Sequence, residues 1–201
     1  MKKLATILLA LMMLMTTLMM PAYAITFSDL ASEHWAYEYI TTLAEAKVIN
    51  GYTDGTFKPN GTITRGEFIK LVMSSSMPPY IDISEAESTM DHWAGNYVWI
   101  AENYGVIEKN SITKENIDEP ITRIEMVRLI SMSDMIMKKQ KSQFEKSTEF
   151  IDVALLSLND LYLLRHAVSR GLITGYDDGT FKPERTMTRA EAATMIYRFT
   201  K

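Results

Sequence analysis

The chain has 201 residues, of which 47 % are hydrophobic and 23 % charged, and it contains no cysteine. That apolar share fits a globular protein of one or two domains and excludes a disordered tail or a collagen-like chain; the missing cysteine excludes thiol catalysis, a disulfide scaffold and cysteine-ligated zinc or iron–sulfur centres. The formal charge of −4 argues against the broad basic surface of nucleic-acid binders, so no nucleic-acid partner is expected.

Lys2 and Lys3 precede an apolar stretch from Leu4 to Met20, and Pro21-Ala22-Tyr23-Ala24 ends in the small-x-small pattern of a signal-peptidase site. Residues 1–24 therefore read as a signal peptide cleaved after Ala24. An uncleaved membrane anchor is the alternative, because a stretch of roughly 17 apolar residues approaches the lower limit for a span. Loss of Lys2 and Lys3 shifts the formal charge from −4 to −6. The remaining Ile25 to Lys201 carries no second long apolar run, so an exported chain without a membrane span is expected, large enough to stand without disulfides.

The first predicted helix follows His34-Trp35-Ala36, with Ile40 and Leu43 on one stripe. Gly51-Tyr52-Thr53-Asp54-Gly55-Thr56-Phe57-Lys58-Pro59 then reads as a tight Asp-Gly turn, a short extended piece and a terminating proline. Ile63-Thr64-Arg65-Gly66-Glu67 opens a second helix. Its Thr-x-x-Glu is a capping box, and Ile63 with Phe68 can form a hydrophobic staple.

This unit is written three times. The tetrapeptide recurs as Thr122-Arg123-Ile124-Glu125 and Thr188-Arg189-Ala190-Glu191, each preceded by an apolar residue, Ile121 or Met187. Trp35 and Trp93 both lie 30 residues before their arginine, each inside His-Trp-Ala. In the third copy that offset falls on Asn159, beside Leu158, while Leu164 and Ala167 keep the stripe. Gly105 and Gly171 suit a left-handed helix end, and Lys47 takes that place in the first copy. The loop motif returns from Gly175 to Pro183, but Lys109 to Ile117 of the second copy lacks glycine. One amphipathic helix pair cannot bury its apolar face alone, so three copies should share one core. The expected organisation is repeat 1 over 25–77, repeat 2 over 78–137, a linker over 138–147 and repeat 3 over 148–201, with the lysine-rich stretch from Lys138 to Lys146 extending the second copy's helix.

Asp29 with His34-Trp35-Ala36, Gly51-Tyr52-x-Asp54-Gly55-Thr56-Phe57 and Ile63-Thr64-Arg65-x-Glu67 together resemble the S-layer homology domain of bacterial cell-surface proteins, over essentially the whole chain after the signal peptide. The resemblance implies a mainly α fold, a pseudo-threefold spindle with a central bundle of three capped helices. It also implies a non-catalytic function: anchoring to anionic, pyruvylated secondary cell-wall polysaccharide in grooves between repeats, in a protein secreted to the cell wall or S-layer. The ligand contacts it implies are Asp29, Trp35, Gly51 and Arg65 in the first copy, Asp82, Trp93 and Arg123 in the second, and Asp152, Gly175 and Arg189 in the third. The second copy departs at Lys109 and places Asp82 11 residues before its tryptophan instead of 6; the third lacks the tryptophan.

The residues themselves leave two readings open. An arginine at the first helical position opposes the macrodipole by roughly 0.3–1 kcal/mol, and three copies accept that cost. Either an external carboxylate or phosphate docks on the free helix amides and the guanidinium, with tryptophan against a sugar face and glycine permitting close approach, or each arginine pairs internally with Asp29, Asp82 or Asp152. Trp99, without counterparts, reads as core, and His34, His92 and His166 as structural, since no metal-ligand spacing links them. Asp177-Asp178-Gly179 lacks the alternating acids of a calcium loop, so neither metal nor cofactor is expected. A surface-protein scaffold that has lost glycan binding is the competing function. A hydrolase using Glu85 and Glu87 is disfavoured because repeats leave no catalytic domain.

Overall fold

The computed structural model describes residues 25–141 and 150–201; the expected signal peptide, residues 142–147 of the expected linker and residues 148–149 at the start of the expected third repeat lie outside them. The described chain is mainly helical. Its α-helices are α1 (Tyr37–Glu45), α2 (Arg65–Ser76), α3 (Gly95–Asn103), α4 (Arg123–Ile136), α5 (Leu158–Ser169) and α6 (Arg189–Thr200), with one 3-10 turn over Ile83–Glu85. Among the described residues no helix is long and apolar enough to cross a membrane.

The three capping boxes form as written. Thr64, Thr122 and Thr188 accept from the amides of Glu67, Glu125 and Glu191, whose carboxylates return to the threonine amides. The start of α1 and α3 is set by another device: the Nδ1 atoms of His34 and His92 accept from the amides of Ala36 and Ala94, each at 3.1 Å. Copy three starts its first helix on Ser157 instead, which accepts from the Asp160 amide. Lys47 adopts φ +58°, the conformation that Gly105 and Gly171 hold at +73° and +70°.

Among the described residues the two α-helices of a copy make no extensive contact with each other. The first helix of each copy packs against the capped helix of the copy before it, α3 on α2, α5 on α4 and, closing the ring, α1 on α6; α2 also packs against α4 and α6. At the hub the residues preceding the three threonines make a closed triangle of backbone bonds. Ile63 N–H donates to Met187, Met187 to Ile121 and Ile121 to Ile63, at 3.0–3.1 Å. Those three side chains, with Phe57, Phe68, Phe181 and Phe199, are fully buried, so one core serves all copies.

Helix α4 ends at Ile136, and Lys139 turns to φ +54°. The expected extension through Lys138 is therefore corrected: the Lys138 ammonium folds back onto the Phe199 carbonyl and ring.

Candidate functional site

The capped-helix amides are not free. Arg65 and Gly66 donate to the carbonyls of Glu119 and Ile117, Arg123 and Ile124 to those of Arg185 and Pro183, and Arg189 and Ala190 to those of Gly61 and Pro59. Each helix N-terminus is thus satisfied by the loop of the next copy around the ring, which removes the amides as an anion cradle.

The arginines are held the same way, Arg65 and Arg189 by glutamates and carbonyls and Arg123 by carbonyls, and the pairing with aspartate that the sequence left open is not made. Arg65 bonds Glu125 through Nε at 3.1 Å and Nη2 at 2.8 Å, Glu119 at 2.9 Å and the Asn116 carbonyl at 3.1 Å. Arg189 bonds the Phe57 carbonyl at 2.8 Å and Glu67 at 3.0 Å, and stacks on Tyr52 and Phe57. Arg123, only 5 % exposed, bonds the carbonyls of Phe181 and Thr174 at 2.8 Å and stacks on Tyr176 and Phe181. Its counterpart carboxylate, Glu191, is taken by Arg185 at 2.7 Å. The two environments differ in sign. Burial would lower the Arg65 guanidinium, but Glu125 and Glu119 hold it above its ordinary value; burial pushes Arg123 down, and nearby Arg185 adds to that.

Asp29 spans two loop amides, those of Phe57 at 2.7 Å and Lys58 at 2.8 Å, and Asp152 does the same with Phe181 and Lys182. Both clamp the loop of their own copy. Asp82, displaced by its longer spacing, instead caps the 3-10 turn through Ser84. Gly51 and Gly175 have a packing reason: an added Cβ would lie 2.4 Å from the Phe27 ring and 2.2 Å from the Phe150 ring. In the second copy Tyr80 stands where that phenylalanine would, 75 % exposed, and Lys109 is tolerated in place of the glycine.

The groove residues come from different copies. A cleft of about 230 Å³ is lined by Gly51, Tyr52, Glu67 and Lys70 of copy one, Arg189 of copy three and Trp93 of copy two. Trp93 is 57 % exposed and Trp35 59 %, so both rings are surface platforms, whereas Trp99 packs against the core. The second groove is wider, about 690 Å³, with Arg65, Glu108, Glu125, Arg128, Asn159 and Asp160 among its walls. Asn159 takes the tryptophan's place there, and Arg128 is clamped by Asp160 at 2.6 and 2.9 Å. In the third groove Arg123 faces the loop of Gly175 and Tyr176. Trp35 precedes α1, which packs on α6, as Trp93 precedes α3, which packs on α2; by that equivalence Trp35 corresponds to the third groove. Sequence reasoning missed Tyr52, Lys70, Glu119 and Arg185, although the last two share one offset from their arginines.

His34 and His92 serve as caps, and His166 is buried, bonded to Asp134 at 2.9 Å. Among the described residues no cluster of three His, Asp or Glu side chains could hold a metal.

A family model described as the S-layer homology domain matches residues 26–69 and 166–193. The chain is similar to an amylopullulanase of Thermoanaerobacterium thermosulfurigenes, 28 % identical over 182 residues covering 87 % of this chain and 9 % of that protein. It is similar to S-layer protein sap of Bacillus anthracis, 28 % identical over 85 % of this chain and 21 % of that one. It is also similar to a cellulosome-anchoring protein of Acetivibrio thermocellus, 31 % identical over 55 % of this chain and 26 % of that one. The chain spans 9, 16 and 18 % of the length of the first three curated relatives it matches.

Proposed function

Because this chain belongs to the S-layer homology family, we propose that it is a non-catalytic cell-surface anchor, exported by residues 1–24 and built of three tandem repeats over 25–77, 78–137 and 148–201. Its inter-repeat grooves bind anionic, pyruvylated cell-wall polysaccharide. The observation that carries this reading is the first cleft, where three copies contribute an exposed tryptophan, two cations and a close-packed loop around one hollow. The Trp93 face suits the apolar face of a sugar ring. Lys70 has no ion pair among the described residues and, with Arg189, would meet a ketal carboxylate. Binding should weaken with salt, since both partners sit at the surface.

Calorimetric titration with purified pyruvylated wall glycan tests this. Trp93→Ala should weaken binding by about tenfold, a loss of roughly 1.4 kcal/mol, without moving the thermal midpoint, because the ring is exposed. Absence of saturable binding in the unsubstituted, folded protein would overturn the proposal.

A further inference from the structure

The grooves differ at one repeated position, the residue four before each capped-helix arginine: Gly61, Glu119 and Arg185. In all three the carbonyl of that residue accepts the amide of the arginine from the preceding copy around the ring, Arg189, Arg65 and Arg123 respectively. Its side chain therefore starts beside that guanidinium stem. Glu119 reaches Arg65 at 2.9 Å and, with Glu125, gives it two carboxylate partners. A Cβ on Gly61 would stand 3.9 Å from Arg189 Cδ, and Glu67 is the carboxylate paired with that arginine. Arg185 touches the same Met187 sulfur as Arg123, donates to the Tyr176 hydroxyl and takes Glu191 at 2.7 Å. Arg123 is left bonded to carbonyls, with no carboxylate in ion-pair contact among the described residues.

We propose that this one position sets the anion preference of each groove: Glu119 closes the second groove to anions, Gly61 leaves the first open, and Arg185 makes the third the strongest anion site by drawing Glu191 off Arg123. This rests on the reading that the grooves take an anionic glycan. An incoming carboxylate at Arg65 must displace or oppose Glu119, whereas in the third groove it meets the more exposed Arg185 beside Arg123, and of those two guanidinium groups only Arg185 has a glutamate partner. The other departures of the second groove agree. Asn159 offers no ring to a sugar, and Arg128 is already neutralised by Asp160.

The test follows the indole signals of Trp93 and Trp35 and the Nε–H signals of Arg65, Arg123 and Arg189 by NMR, using two probes, a pyruvyl-ketal N-acetylhexosaminide and inorganic phosphate. The glycoside is expected to shift both indoles, with tighter binding read at Trp35. Gly61→Glu should weaken the Trp93 response about tenfold and spare Trp35, and Arg185→Glu should do the reverse. Gly61→Gln, equal in size but neutral, should retain binding, and Glu119→Gln should let phosphate reach Arg65. The rule is overturned, with the anchor reading intact, if the glycoside binds but Gly61→Gln is as damaging as Gly61→Glu, or if Arg65 responds as strongly as Arg123 before substitution. If the glycoside moves nothing while phosphate follows the charge pattern, the glycan reading fails and the rule stands. If neither probe moves any signal, both fall.

Discussion

Gly175 is small because the Phe150 ring lies where its side chain would be, 2.2 Å from a built Cβ and with the Thr180 carbonyl at 3.0 Å. Gly175→Ala must push that ring off the loop, and overpacking of this kind costs about 1–3 kcal/mol; the midpoint of denaturant unfolding should fall accordingly, with an unchanged midpoint contradicting the account. Asp134 is a second residue whose role is structural. Burial alone would raise its carboxyl, but the bonds from His166 and Arg170 outweigh that and hold it below the usual range. A depressed folded value means its stabilisation is complete above the unfolded value of about 4 and is lost as pH falls through the folded one. Thermal midpoints measured from pH 6 to pH 2 should therefore drop most steeply below about pH 4. Asp134→Asn should start lower at pH 6 and flatten that decline, since His166 and Arg170 bond the same oxygen and the amide keeps an acceptor but loses the negative charge facing Arg170.

The capping box does more here than start a helix. In each copy the glutamate uses one oxygen to return to its own threonine amide and offers the other to an arginine, Glu67 to Arg189, Glu125 to Arg65 and Glu191 to Arg185. For Arg65 and Arg189 the offset to the unfavourable first helical position is thus a neighbour's capping glutamate, which meets the macrodipole argument without a bound ligand; Arg123 has carbonyls instead. Thr122→Ala, which removes one side of the box, should cost about 1 kcal/mol. Glu125→Ala should cost more, roughly 2–3 kcal/mol, because it also strips Arg65 of a charged partner. Equal losses in chemical denaturation would argue that the link between copies contributes nothing.

At the scale of the whole molecule the copies form a closed ring, not an open stack. A linear repeat array tolerates loss of a terminal unit, because each repeat contacts only its neighbours. Here α1 packs on α6, the hub bond of Ile63 is accepted by Met187, and Arg189 holds the Phe57 carbonyl. Ending the chain before Met187 should unfold all three copies together, seen as loss of helical circular dichroism and of the cooperative melt. A truncated protein with two copies folded and an unshifted melting temperature would show the ring closure to be dispensable.

Local signals determined the elements. Thr-x-x-Glu, the His-Trp-Ala entries, the Asp-Gly turns and the threefold period each act through neighbours a few residues away, so the helices, their starts and the mainly α class were readable from the chain alone. Tertiary structure decided the partnerships. That Gly51, Trp93 and Arg189 share a cleft although they come from three copies, and that glutamates of a neighbouring copy hold Arg65 and Arg189, follows from ring closure. Closure pairs residues up to 139 positions apart, as Asn50 with Arg189, and a repeat pattern cannot say whether a copy's helix packs on its own partner or on its neighbour's. Glu119 and Arg185 were visible as letters at one offset, but their meaning depended on which guanidinium the fold set beside them.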